Sequence, residues 1–105
     1  MNTNDQDKLL RQLADSFIDV ANRHCEQQDK NVVNTAFLYA ASRFSAFVAA
    51  ASAGDLNEFR SRQTAAGDFF TAEFNSMLNK NLSSYEKVFQ QQDNKYSHLV
   101  NTDSE

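Results

Sequence analysis

The sequence predicts an all-α protein, and three observations carry that prediction. The chain has no proline and only two glycines in 105 residues, Gly54 and Gly67. Proline breaks helix interiors and glycine weakens them, so their scarcity permits long helices. Apolar residues then recur at three- and four-residue steps over most of the chain, which is the period of one helical face. Turn-forming residues at the spacing of a β-meander are missing.

Composition bounds the rest. The length suits a single helical domain over 1–105, frayed at about 1–6 and 97–105, with no room for two domains. Apolar residues are 41% and charged residues 23%, ordinary for a globular chain. Nine Phe and no Trp predict an aromatic-rich core.

Helix 1 is expected from a cap at Asp5 or Asp7 to about Gln27. Leu10, Leu13, Phe17, Val20, Ala21 and His24 form its apolar face. Arg11, Asp15, Asp19 and Arg23 lie on the other side. A polar connection from Glu26 to Lys30 follows.

Helix 2 is expected from a cap at Asn31 to Ala53, stopping at Gly54 in the left-handed conformation. Val33, Phe37, Ala40, Phe44, Phe47, Val48 and Ala51 make its large apolar face. Ser42, Ser45, Ala46, Ala49 and Ala53 make a second, small and smooth face. Arg43 is the only charge in this segment. Its length would span a bilayer, but Ala and Ser outnumber Leu and Ile in it. An arginine at mid-length costs about 3 kcal/mol on insertion scales, so no membrane partner is expected.

Helix 3 opens on Asp55 and Glu58, the spacing of a capping box. Leu56, Phe59, Ala66, Phe70, Phe74 and Met77 form one stripe, which continues through Asn81, Tyr85 and Val88 with Leu82 and Phe89 beside it. Ser83 and Glu86 repeat the capping-box spacing. The chain therefore reads as an antiparallel bundle of three long helices, the last either continuous or broken near Leu82 into a fourth.

Several of these stretches resemble a bacterial family, domain of unknown function three-one-four-four. The resemblance rests on Phe17 with Ala21–Asn22, on Tyr39-Ala40-Ala41-Ser42-Arg43-Phe44-Ser45-Ala46-Phe47, and on Phe74, Met77–Leu78, Asn81–Leu82 and Tyr85. It covers helix 1 to about Phe89. These are helical packing patterns, so the resemblance implies a helical protein and transfers no catalytic or binding residue.

The chemistry-bearing residues are few. His24 on the apolar face of helix 1 is expected to bond a carbonyl or a neighbouring side chain. A metal would need further ligands, and His98, the second histidine, is in the tail. Cys25 is adjacent to His24, about 100° away around the helix, and is expected to be buried at the core edge. Arg43, beside Tyr39 and Phe47, is expected to meet Asp15, Asp19 or Glu73, as an ion pair or as an anion anchor at a groove mouth. Asn22 is expected to hydrogen-bond a neighbouring helix or backbone. Phe44, Phe47, Phe59, Phe69, Phe70 and Phe74 are expected to pack as core. No phosphate loop, carboxylate pair or triad is recognisable, so no catalytic residue, metal or cofactor is expected.

A net charge of −4 opposes nucleic-acid binding. One cysteine and a polar, acidic start point to the cytoplasm. The functional expectation is a non-enzymatic interaction module, a homodimer with an unidentified protein partner, associating through Ser42, Ser45, Ala46 and Ala49 of helix 2 and Leu82, Tyr85 and Phe89 of helix 3. The alternative is a carrier or sensor of a small apolar or anionic ligand held between helices near Arg43.

Overall fold

In the computed structural model the backbone is described for residues 3–103 and the side chains for residues 3–93. Among the described residues there are three α-helices and no strand: α1 (Thr3–His24), α2 (Lys30–Ala51) and α3 (Leu56–Asp103). They fall into two units, Met1–Ser52 and Ala53–Glu105. Of the expected frayed ends, residues 1–2 and 104–105 lie outside the described residues, as do the side chains of the tail, His98 among them.

In the first unit, α1 starts at Thr3, so Asp5 sits in its first turn rather than at a cap before it. The helix ends at His24, earlier than the expected Gln27. Its last turn tightens: Glu26 N–H donates to Arg23 O at 3.2 Å and Gln27 N–H to His24 O at 3.2 Å. Such three-residue bonds satisfy end carbonyls without extending the α-helix. Arg23 and His24 close the helix at its negative dipole end.

The cap of α2 is Asp29, not Asn31. Asp29 has extended backbone and its Oδ1 accepts the Asn31 N–H at 2.7 Å. A carboxylate placed there satisfies an orphan N–H and also faces the positive helix end, an advantage that neutral Asn31 lacks. The far end differs from expectation too. Ser52 ends α2 in right-handed backbone, and both its N–H (3.2 Å) and its hydroxyl (2.9 Å) donate to Val48 O. With that carbonyl already satisfied, no left-handed glycine is needed, and Gly54 has no positive φ.

The α1 and α2 helices, joined by a short connection, pack on each other. Val33, just past that connection, is the one core side chain among the described residues, 8% exposed. Farther along the same stripes Leu10, Leu13, Phe44 and Phe47 are exposed.

In the second unit, α3 opens as the capping-box spacing predicts. Glu58 N–H donates to Asp55 Oδ1 at 2.8 Å, and Glu58 Oε2 accepts the N–H of Gly54, one residue before the cap, at 2.9 Å. The other carboxylate oxygen of Glu58 pairs with Arg62 at 2.7 Å, one turn on. From there α3 runs unbroken for 48 residues. No proline or glycine interrupts it near Leu82. Ser84 bonds back to Lys80 O at 3.1 Å, a bond made inside a continuing helix. The capping-box spacing at Ser83 and Glu86 is therefore not used to start a fourth helix.

The expected aromatic core is not enclosed. Phe44, Phe47, Phe69 and Phe74 are exposed, while Phe59 and Phe70 are half-buried. The physical reason lies in each unit by itself. Two helices bury only the seam between them, and a single helix cannot bury its own stripe.

Candidate self-association surface

Each unit carries candidate association residues of its own. On α2, Ser42 turns its hydroxyl inward to Tyr39 O at 2.8 Å, so it presents no free donor. Ser45 and Ala49 are half-buried, and Ala46 is exposed. On the other face of α2, Phe44 and Phe47 stand with ring centroids 5.8 Å apart, both exposed. The helix is long and apolar enough to cross a membrane by length and composition alone, with Arg43 near its middle.

On α3 the apolar stripe is bare. Phe74, Met77, Leu78, Leu82, Tyr85, Val88 and Phe89 are 40–67% exposed. Leu82, Tyr85 and Phe89, singled out from the sequence, are at the upper end of that range. Upstream, Phe69 and Phe70 meet edge to face at 5.6 Å. At 1.5 Å per residue, α3 is about 72 Å long and α1 and α2 about 33 Å each.

Arg43 does not pair with Asp15 or Asp19. Its guanidinium instead stands over the Tyr39 ring, 5.7 Å from the centroid. The four-residue spacing of Tyr39 and Arg43 puts them one above the other on the helix, and an exposed arginine gains from the ring face without desolvating an acid. That spacing was the signal for the contact. Glu73 on α3 and Asn22 on α1 are both exposed. Cys25 is also exposed rather than buried, because α1 ends before it and the connection carries it into solvent.

His24 has a more specific setting. It lines a groove of about 470 Å³ between α1 and α2, with Phe17, Val20, Val33, Phe37 and Gln28. Gln28 and His24 are its polar members; Gln28 lies in the turn beyond α1, where its N–H donates to His24 O at 3.0 Å. The wall of the groove stops at Ala40, so Arg43 is not part of it. Among the described residues no group of three or more His, Cys, Asp or Glu is placed to hold a metal ion.

Fold and surface together define a class: small all-helical proteins whose long helices present apolar faces. Within that class the chain belongs to the family described as "Protein of unknown function (DUF3144)", whose model matches residues 10–86. No curated protein and no solved structure matches it.

Proposed function

We propose that this chain is a non-enzymatic interaction protein of the cytoplasm that works as a homodimer. One observation carries the reading: from Phe74 to Phe89 a continuous row of large apolar side chains on α3 stands 40–67% exposed. Single exposed apolar residues are ordinary, but a contiguous row of this size marks an association surface. Such a row is stable in water only when another helix covers it. Identical copies supply that cover by one isologous contact. A net charge of −4 turns the dimer away from nucleic acid, and Arg43 at the middle of α2 disfavours burial of that helix in a bilayer.

Sedimentation over a range of concentrations tests this directly. The expected result is a species of twice 11.9 kDa at micromolar concentration. A single chain mass at high micromolar concentration overturns it, and recovery of the protein only with membranes overturns the aqueous dimer.

A second reading has its own observation, the 470 Å³ groove beside His24. Its volume and apolar walls suit a small, mostly apolar ligand with one polar end held by His24 and Gln28. This shifts the ligand reading from Arg43 to the turn end of α1 and α2. Thermal melting with a metabolite library separates the two, since a native-state ligand raises the melting temperature by mass action. No response from any compound removes the second reading.

A further inference from the structure

We infer that the α3 helices of two copies pair side by side, parallel and in register, with Asn81 facing Asn81. This rests on the self-association proposed above and adds which helix pairs, in which direction and at which register.

The spacing of the stripe comes first. Phe70, Phe74, Met77, Asn81, Tyr85 and Val88 follow one another at steps of four, three, four, four and three. Three such turns make an eleven-residue repeat, about 3.67 residues per turn, close to the 3.6 of a straight helix. The seam therefore stays on one side of α3 with little supercoiling, and a second straight helix can follow it.

The area comes next. The large apolar side chains from Phe74 to Phe89 expose on the order of 700 Å² between them, close to the roughly 800 Å² that each partner gives a standard stable interface. A second α3 has the matching length and the matching stripe.

Direction is set by charge. At 3.6 residues per turn, Glu86 and Asp93 lie roughly 120° to one side of the stripe, and Lys80 and Lys87 about as far to the other. In a parallel pair the acidic side of each helix lies on the same side of the seam as the basic side of its partner, so opposite charges border it. In an antiparallel pair like flanks meet, acid against acid and base against base. Flanking charges of this kind choose orientation more than they add affinity. Glu73, on the basic side and nearer the stripe than either lysine, is the one acid that departs from this pattern.

Register is set by Asn81. It is the polar residue within the stripe between Met77 and Tyr85. Covered by an apolar surface, its amide would lose its hydrogen bonds. Opposite its own copy, the amide donates to and accepts from an identical amide, the role a lone asparagine plays in fixing a helical pair.

The test uses two single-cysteine proteins made on the full chain carrying Cys25→Ser: Met77→Cys and Val88→Cys. Both residues are exposed, 53% and 45%, so the folded chain tolerates the change. A parallel in-register pair places each of these positions opposite itself. Both variants should therefore oxidise to disulfide dimers at micromolar concentration, whereas a cysteine on the polar back of α3, Asn79→Cys, should not. An antiparallel pair can bring at most one of the two positions opposite itself. Cross-linking at one position or neither, in a protein that sediments as a dimer, overturns the parallel register while leaving the dimer standing. Sedimentation as a single chain overturns the dimer itself, and the pairing with it.

Discussion

Glu58 reaches back across the start of α3 and takes the Gly54 N–H at 2.9 Å, on the same carboxylate whose other oxygen holds Arg62. One side chain thus satisfies an orphan donor before the helix and pins its second turn. Glu58→Ala is expected to cost about 0.5–2 kcal/mol, the range of lost helix caps. Gly54→Ala acts on the same bond, because a Cβ there would lie 2.9 Å from Glu58 Oε2 and push the carboxylate away. Urea denaturation of both single variants and the double variant checks this. The two effects must be clearly less than additive, since each removes the same interaction.

The start of α3 was legible because a cap is local: the Asp55–Glu58 spacing contains the donors, the acceptors and the turn between them. The start of α2 was less so. Asp29 and Asn31 are both good capping residues, and it is the Asp29 carboxylate that takes the Asn31 N–H. Three helices in order, and the stripes on them, follow from periodicity, which needs no tertiary information. The enclosed phenylalanine core did not follow. A stripe shows which residues seek cover, but Phe44 or Phe74 carries no mark of whether cover comes from its own chain or another copy. The groove at His24 stayed hidden for a related reason, since it exists only where α1 and α2 meet.

The continuity of α3 through Ser83 and Ser84 has its own discriminating substitution. If Ser83 capped a fourth helix, Ser84 would be the first helical residue, a position that welcomes proline. Within a continuous helix a proline at Ser84 removes a backbone bond and clashes with the preceding turn, at about 3 kcal/mol. Ser84→Pro is expected to lower stability by that amount and to reduce helical circular dichroism. An unchanged spectrum and midpoint would favour the broken helix.

Gly67 lies inside α3, and a Cβ built on it meets nothing within 4 Å. Gly67→Ala should therefore stabilise the protein by up to about 1 kcal/mol, through better helix propensity and a less free unfolded chain. Thermal unfolding should shift upward by several degrees. A downward shift would mean that another helix passes close over Gly67 in the assembled protein, where only a missing side chain leaves room.

Arg43 and Tyr39 form a stack on the surface of α2, 5.7 Å from guanidinium carbon to ring centroid. A double-mutant cycle with Arg43→Ala and Tyr39→Leu should give a coupling of about 0.5–1 kcal/mol, the range for exposed cation–π pairs. Arg43→Lys should keep part of it. Dimer mass should be unchanged in all three variants. A coupling near zero, together with loss of the dimer, would instead make Arg43 part of the interface.

The association surface makes the strongest demand. Leu82 and Phe89 are 56% and 64% exposed, so their side chains contribute little to the fold of the single chain. Substituting them should therefore separate assembly from folding. A buried aromatic anchor in an interface is worth about 2 kcal/mol or more, which is at least ~30-fold in dissociation constant. Leu82→Ser with Phe89→Ser should raise the dimer dissociation constant by that factor or more. Both residues lie on a helix whose own backbone bonds remain, so helical signal at low concentration should stay close to that of the parent chain. In the parent, melting temperature should rise with protein concentration, because dimerisation stabilises the folded chain by mass action. In the double variant that dependence should vanish. If the variant instead loses its helical signal while the parent melts independently of concentration, the two side chains serve the fold of one chain, and the surface they form is not where copies meet.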